Sequence, residues 1–238
     1  MPKLVLLRHG QSRWNIQQRF TGWVDVDLTD KGEAEALGAG RLLKAEGLNF
    51  DRVYTSVLTR AIRTADLALW TADQLWLPMV KDWRLNERHY GALTGREHAP
   101  MRAEFGDEQV RIWRRSFDVP PPPLAPGGEY DFAADRRYRG ITPPATESLK
   151  TTLERVLPYW TGEIAPRLMA GETLLVVAHG NSLRSIVKHL FAVSDADIPG
   201  VEIPTGNPLY VELTADLRPA AARYLDASAS SALPAIAA

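Results

Sequence analysis

Two apolar runs of this chain each end in a histidine followed by a glycine. The run LVLL at residues 4–7 leads through Arg8 to His9, and the run LLVVA at residues 174–178 leads to His179. Each run has the length and composition of a strand buried on both faces, which is typical of a parallel sheet. The carboxyl ends of such strands open onto the ligand crevice of an α/β sheet. We therefore expect the two histidines to face one pocket that suits an anionic group such as phosphoryl.

The order of predicted elements indicates an α/β fold, with a mostly parallel central sheet and helices on both of its faces. Strands are predicted at residues 3–7, 51–54, 78–83, 173–178 and 208–213. Helices are predicted at residues 11–19, 33–46, 55–70, 147–169 and 182–191, the fourth with interruptions at Pro158 and Pro166.

The stretch from residue 86 to residue 144 loses this regular pattern. It holds four consecutive prolines at residues 120–123, which neither a helix nor a central strand accommodates. Such a segment is either a disordered loop or a cover over an active site, and its arginines favour a lid at about residues 92–145. We expect one domain over residues 1–226 and a mobile, Ala- and Ser-rich tail at residues 227–238.

Composition argues against several classes of protein. The 238 residues include no cysteine, which excludes disulfides and thiolate metal sites. No apolar run approaches the roughly 20 residues that span a bilayer, and no signal region precedes the first strand, so we expect a cytoplasmic protein. A net charge of −1 argues against nucleic acid and membrane as partners. The chain has no zinc, magnesium, P-loop or dinucleotide motif, so neither a metal nor a nucleotide is expected.

A lone histidine after a strand usually has a structural role, but the surroundings of His9 favour a nucleophile. Ser12 and Asn15 follow it at the start of a short helix, where backbone N–H groups bind anions. A neutral imidazole attacks phosphorus and splits one transfer into two easier steps. Arg8 and Arg60 would lower the pKa of this imidazole and stabilise charge on the transferring oxygens.

Two further residues have open interpretations. His179 could make a structural hydrogen bond under the sheet or donate to a phosphoryl oxygen in the transition state, and its mirrored setting favours the second. Glu87 is a candidate proton donor and acceptor, although its spacing alone slightly favours a surface carboxylate between arginines. Arg114 and Arg115 are candidates to clamp an anionic group of the substrate.

Five segments carry a more specific signal. They are LLRHGQS at residues 6–12, RFTGW at 19–23, YTSVLTRA at 54–61, LNERHYG at 85–91 and AHGNSLR at 178–184. In this order they resemble the cofactor-dependent phosphoglycerate mutases of the histidine phosphatase superfamily. The segments GDEQV at 106–110, WRR at 113–115 and IPTG at 203–206 are similar to the same family. The resemblance covers most of residues 3–225, and its NERHYG run is far more specific than the RHG triplet that the whole superfamily shares.

The resemblance implies an isomerase that interconverts 2- and 3-phosphoglycerate in glycolysis and gluconeogenesis. His9 would carry the phosphoryl group, 2,3-bisphosphoglycerate would prime it, and no metal would be needed. Arg8, Arg60 and His179 would hold the phosphoryl group, and Glu87 would move the proton. The residues that the resemblance assigns to substrate binding, with His98 added by its place in the family pattern, are Ser12, Asn15, Thr21, Gly22, Arg60, Tyr90, His98, Arg114, Arg115, Gly180 and Asn181. A homodimer is expected because oligomers, often dimers, are common in this family, and a higher homo-oligomer stays open.

The chain also departs from the family pattern. His98 stands where a lysine is expected, and an imidazole is fully charged only at acid pH. We therefore expect His98→Lys to lower KM more at pH 8 than at pH 6. The proline-rich stretch after residue 119 and the lysine-free tail also differ, which leaves the balance of mutase and hydrolase activity open. The alternatives are a broad-specificity histidine-type phosphomonoesterase, which the run at residues 86–91 disfavours, and a non-catalytic phosphoanion-binding protein, which the intact key residues disfavour.

Overall fold

A six-stranded sheet organises the structure, a computed structural model that describes residues 1–236. Its strands are β1 (Lys3–Arg8), β2 (Arg52–Thr55), β3 (Met79–Lys81), β4 (Thr173–Ala178), β5 (Leu209–Leu213) and β6 (Pro219–Tyr224). They lie in the order β3-β2-β4-β1-β5-β6. The first four in this order pair in parallel, and β5 and β6 are added antiparallel at one edge. The predicted mostly parallel sheet is confirmed.

Helices cover both faces of the sheet, as predicted. They are α1 (Arg13–Ile16), α2 (Asp30–Ala45), α3 (Thr59–Thr71), α4 (His98–Phe105), α5 (Asp107–Arg115), α6 (Leu149–Tyr159), α7 (Ala165–Met169) and α8 (Gly180–Leu190). Side chains alternate between the faces along each strand. Val5 and Leu7 pack in a cluster with residues of α2 and α3, whereas Leu4 and Leu6 pack with residues of α6 and α8. Both faces of β1 are therefore buried, which explains its uninterrupted apolar run.

The pairing of β1 with β4 determines where the two histidines lie. The two strands run in parallel register from Lys3 opposite Thr173 to Arg8 opposite Ala178. One residue further, the backbone N–H of His9 donates to the carbonyl of Ala178 at 3.0 Å. This register therefore places His9 and His179 side by side at the carboxyl ends of β1 and β4.

Several element boundaries differ from the sequence predictions. Helix α3 begins at Thr59 rather than at residue 55, because Leu58 is extended and the Ser56 hydroxyl accepts from its N–H. Strand β3 ends at Lys81 because the Asp82 side chain caps a 3₁₀ turn that follows it. Helix α8 begins two residues earlier than predicted, at Gly180, where the Ser182 hydroxyl accepts from the N–H of His179.

The predicted helix over residues 147–169 is divided into three parts, which are two α-helices and a π-helical turn between them. A π-helical turn at Trp160–Ile164 separates α6 from α7, so the interruption falls between Pro158 and Pro166. Strand β6 was not predicted from its sequence, PAAARY, which is poor in β-branched residues. Antiparallel pairing with β5 makes it a strand all the same, because tertiary context overrides weak propensity.

The segment predicted to be irregular contains two helices, α4 and α5, so the prediction was wrong for residues 98–115. Their buried apolar residues form a cluster of their own, which holds Phe20, Leu93, Met101, Val110 and Trp113. The prolines at 120–123 do lie outside any helix or strand.

The C-terminal region makes contacts with the rest of the chain. The Asn207 amide donates to the carbonyls of Asp226 and Ala229, and Leu233 packs against the core. Residues 237–238 of the predicted tail lie outside the described residues, and the predicted mobility of the tail stays a prediction. Within residues 1–236, no helix is both long enough and apolar enough to cross a membrane.

Candidate active site

A cavity of about 290 Å³ opens at the carboxyl ends of β1 and β4. Its wall consists of Arg8, His9, Asn15, Arg19, Phe20, Thr21, Arg60, Glu87, Tyr90, His98, Arg114, Arg115, Gly180, Asn181, Arg184, Glu202 and Ile203. Six arginines thus face two carboxylates, which gives the cavity the charge of an anion site.

The two histidines lie against each other, but only one of them lines the cavity. Their ring centroids are 4.9 Å apart and the rings meet edge to face at 61°. His9 forms part of the cavity wall, whereas His179 is fully buried outside that wall. The convergence expected from the sequence is therefore present in the structure, with unequal access for the two imidazoles.

A hydrogen bond determines which nitrogen of His9 can react. Its Nδ1 lies 2.7 Å from the carbonyl oxygen of Gly10, and because a carbonyl only accepts, Nδ1 carries the proton. The lone pair of the neutral ring is then on Nε2. Burial, followed by the charges of Arg60 and Arg8, holds the pKa of His9 well below its usual 6.5. At neutral pH this imidazole is uncharged and nucleophilic.

The glycines that follow the histidines serve different purposes. A Cβ on Gly10 would lie 2.1 Å from the carbonyl oxygen of Gly32 in α2, so only glycine lets the two backbones approach this closely. A Cβ on Gly180 would lie 3.5 Å from Cζ of Arg8, which is ordinary contact. The close packing of the loop after β1 therefore needs its glycine more than the start of α8 does.

His179 is oriented by a residue that the sequence analysis did not single out. Its Nε2 lies 2.7 Å from Oγ of Ser56, which follows β2 and also accepts from the N–H of Leu58. Burial is the main cause that lowers the pKa of His179 well below 6.5, and Arg60 and His9 add to it. The neutral ring is thus held by a hydrogen bond to the connection between β2 and α3.

Arg60 and Arg8 are anchored through backbone carbonyls. Arg60 is buried and donates to the carbonyls of Val24 and Gly22, each at 2.8 Å. Burial lowers its pKa to about 10, which leaves it charged at neutral pH. Arg8 donates to the carbonyl of Ile203 at 2.8 Å, and its buried Nε has no protein partner within residues 1–236. Both guanidinium groups therefore bring positive charge to the cavity.

Glu87 lies in the cavity wall and not on the open surface. Its Oε1 accepts from the backbone N–H groups of Arg88 at 2.7 Å and Asn181 at 3.1 Å. A Cβ on Gly180 would lie 3.6 Å from its Oε2. The carboxylate therefore sits between the run at residues 86–91 and the start of α8, within the same wall as His9.

A buried ion pair holds the backbone on which Glu87 stands. Arg155 of α6 pairs with Glu147 at 2.6 Å, and both side chains are almost fully buried. The same guanidinium donates to the carbonyls of Arg84, Asn86 and Glu87 at 2.6 to 3.0 Å. The backbone position of Glu87 thus depends on a helix far along the chain, which no local pattern reveals.

On another part of the wall, hydrogen bonds join Asn181 to two neighbours. Its Nδ2 donates to the Tyr90 hydroxyl at 3.2 Å, and its Oδ1 accepts from Arg184 at 3.0 Å. Arg184 is buried, and its Nε has no hydrogen-bond partner within the described residues. The fixed orientation of this amide comes from helix α8, which carries both Asn181 and Arg184.

His98 lies in the cavity wall, but the titration expected of it is not supported. Its ring packs against Phe20 with centroids 4.4 Å apart. Burial, and then the charges of Arg114 and Arg102, lowers its pKa to about 4. The imidazole is therefore neutral at both pH 6 and pH 8, and the expectation of a stronger effect of His98→Lys at pH 8 is withdrawn.

Two of the expected substrate-binding residues lie outside the cavity wall. The Ser12 hydroxyl caps α1 by accepting from the N–H of Asn15, and the carbonyl of Gly22 accepts from Arg60. Both support neighbours that do line the cavity. The sequence analysis missed the wall residues Arg19, Phe20, Arg184, Glu202 and Ile203. All but Glu202 stand in segments that carried the family resemblance, which was the available signal.

The fold and this site define the chain as a member of the histidine phosphatase superfamily. A family model for the "Histidine phosphatase superfamily (branch 1)" matches residues 4–218, so the chain belongs to this family, and the resemblance noted in the sequence is confirmed.

Individual relatives match over almost their whole length. The chain is 66% identical over 236 residues to a 2,3-bisphosphoglycerate-dependent phosphoglycerate mutase of Caulobacter sp. (strain K31), which covers 99% of this chain and 100% of the relative. It is 61% identical over 225 residues to the protein of that name from Sphingopyxis alaskensis, with 94% and 99% covered. A solved putative alpha-ribazole-5'-P phosphatase from Escherichia coli has a TM-score of 0.69 at 22% identity and covers 100% of this chain and 98% of its own, which shows the shared fold.

Proposed function

We propose that this protein interconverts 2-phosphoglycerate and 3-phosphoglycerate through a phosphohistidine on His9, with 2,3-bisphosphoglycerate as the primer. The observation that carries the proposal is a neutral His9, protonated on Nδ1, in the wall of a cavity with six arginines and two carboxylates. The relatives named as phosphoglycerate mutases support the substrate, because they align from end to end at 58–66% identity.

In the proposed reaction, 2,3-bisphosphoglycerate first leaves a phosphoryl group on Nε2 of His9. Glu87 then takes the proton from the free hydroxyl of the bound monophosphoglycerate, whose oxygen attacks the phosphohistidine while the N–P bond breaks. In the return step Nε2 attacks the other phosphorus of the bisphosphate, the ester P–O bond breaks, and Glu87 returns the proton to the oxygen that leaves. Arg8 and Arg60 stabilise the charge on the transferring oxygens from the cavity wall, and His179 is proposed to donate to one of these oxygens through its buried Nδ1, which has no hydrogen-bond partner within residues 1–236.

The rest of the wall is proposed to hold the remainder of the substrate. The residues that line the cavity and are assigned to this role are Asn15, Thr21, Tyr90, His98, Arg114, Arg115, Gly180 and Asn181. Ser12 and Gly22 act on it through the neighbours they support. A bisphosphorylated primer fits the unpaired buried Nε groups of Arg8 and Arg184, which offer donors to additional anionic oxygens.

Label transfer tests the nucleophile. Phosphorus-labelled 2,3-bisphosphoglycerate is expected to label the wild-type protein and not His9→Ala. His189→Ala is the matched control, because His189 lies at the end of α8 against Trp160 and outside the cavity wall, and it should keep the label. Label that persists in His9→Ala on another residue would overturn the assignment.

The alternative, a broad-specificity histidine-type phosphomonoesterase, differs in what accepts the phosphoryl group. Water would replace the second substrate hydroxyl. We expect isomerisation in a coupled assay to exceed hydrolysis of p-nitrophenyl phosphate and to rise when 2,3-bisphosphoglycerate is added. Hydrolysis in excess of isomerisation, without a response to the primer, would assign the phosphatase instead.

The proposal includes no metal and a cytoplasmic location. The arginines of the wall supply the positive charge that metal ions supply in other phosphoryl transfers, so an excess of chelator is expected to leave the isomerisation rate unchanged. The location follows from the proposed substrates, and cell fractionation tests it.

A homodimer is also proposed, and an exposed apolar patch supports it. Trp70 in the last turn of α3 and Leu75 and Trp76 in the connection to β3 are 61%, 53% and 76% exposed. They precede the edge strand β3, and exposed apolar surface beside an unpaired edge marks association sites. Sedimentation equilibrium is expected to give a dimer for the wild type and for Met169→Asp, a control at an exposed site on α7, and a monomer for Trp76→Asp. A monomeric wild type would contradict this part of the proposal.

A further inference from the structure

One carboxylate in the cavity wall has no part in the proposed reaction. Glu202 lines the same cavity as His9 and forms an ion pair with Arg115, the last residue of α5. Arg115 is one of the two arginines assigned to an anionic group of the substrate. The contact therefore joins a proposed binding residue to a negative charge that belongs to the protein itself.

The backbone around Glu202 is firmly anchored. Its neighbours Val201 and Ile203 are buried, 8% and 2% exposed, whereas the Glu202 side chain is 57% exposed. The Tyr224 hydroxyl donates to the carbonyl of Glu202 at 3.2 Å, and Arg8 donates to the carbonyl of Ile203 at 2.8 Å. The carboxylate is thus presented to the cavity from an anchored loop, and Arg115 reaches it from the end of α5.

The electrostatics of this pair differ from those at the phosphoryl site. Arg8 and Arg60 donate to carbonyls, so their charge is available to a ligand. Arg115 is already neutralised by Glu202, and an anion that uses Arg115 must displace that carboxylate and remain close to it. A ligand with a single anionic group at His9 leaves the Arg115–Glu202 ion pair intact. A ligand with a second anionic group at Arg115 has to break that ion pair, which costs free energy of binding.

We propose that Glu202 is a specificity-determining residue whose carboxylate occupies Arg115 in place of the second anionic group of the substrate. This inference rests on the proposed function, since that function assigns Arg115 to the substrate. The second anionic group of a ligand must then compete with the Glu202 carboxylate for Arg115. The affinity for every doubly anionic ligand is therefore weakened by the strength of this one partly exposed ion pair.

Equilibrium binding by titration calorimetry tests the proposal without turnover. The probe is phosphoglycolate, which has a phosphate and a carboxylate but no second hydroxyl and so cannot be isomerised. We expect Glu202→Gln to bind it about two- to fivefold more tightly than the wild type, the range that a partly exposed ion pair allows. Inorganic phosphate, with a single anionic group, should bind both proteins equally.

Two further variants identify the cause. Glu108→Gln removes the same charge from α5, where Glu108 pairs with Arg111 on the surface, and it should leave phosphoglycolate binding unchanged. In an Arg115→Gln background, Glu202→Gln should have no effect on affinity. Equal affinity of wild type and Glu202→Gln, or a gain that persists without Arg115, would overturn the proposal. Failure of the wild type to bind phosphoglycolate at all would instead count against the proposed function.

Discussion

Acid is expected to destabilise this protein because all five of its histidines are held in the neutral form. Burial is the largest cause in each case, and it lowers the pKa of His9, His89, His98, His179 and His189. The unfolded chain binds protons to these imidazoles near pH 6.5 and the folded chain does not. The free energy of unfolding should therefore fall as the pH drops below 6.5.

His89 allows this effect to be measured for a single group. It is 1% exposed, its Nδ1 accepts from the N–H of Gly91 at 3.0 Å, and its pKa is lowered to about 4. Above pH 7 the ring is neutral in both states and contributes nothing to the pH dependence. Between pH 6.5 and about 4 only the unfolded state is protonated, so stability declines, and the decline ends below about pH 4. The loss from pH 7.5 to pH 5 is about 2 kcal/mol.

The variant His89→Asn keeps an acceptor near the position of Nδ1 but cannot titrate. Urea unfolding at pH 7.5, 6 and 5 measures the free energy of unfolding of both proteins. The value for the variant minus the value for the wild type should rise by about 2 kcal/mol between pH 7.5 and pH 5. Phe132→Leu is the control, because Phe132 packs against the same ring, 5.8 Å between centroids, and carries no charge. The difference in unfolding free energy between Phe132→Leu and the wild type should not change with pH. A constant difference for His89→Asn would refute the reasoning.

Three further outcomes are expected. Arg155→Leu leaves Glu147 buried without its partner, so urea unfolding should show a loss of about 3–5 kcal/mol, with part of it recovered when Glu147→Leu is added. His98→Lys should lower KM by the same factor at pH 6 and pH 8, and a larger effect at pH 8 would mean that His98 titrates in this range. The acid limb of kcat/KM should lie well below pH 6.5, because only the neutral form of the proposed nucleophile His9 could attack, and a limb centred on 6.5 would contradict its depressed pKa.

The elements that were predicted well are those whose signals are local. The run at residues 4–7 is apolar throughout because this part of β1 is buried on both faces. Helix α2 begins after Thr29, whose hydroxyl accepts from the N–H of Gly32, and Gly47 follows its end at a φ of +68°. Caps and buried runs act over a few residues, so a single sequence contains them. Strand β6 and helices α4 and α5 were missed because their stability comes from partners elsewhere in the chain.

The amino-acid sequence by itself determined the strand–His–Gly turns, and with them that the two histidines would meet, since parallel strands end on the same edge of a sheet. Only the tertiary structure decided that His179 lies behind His9, that His98 is neutral, and that Glu202 pairs with Arg115. These properties depend on burial and on charges brought together from distant parts of the chain. Desolvation and Coulomb interactions follow distance in space, which spacing along the sequence does not encode.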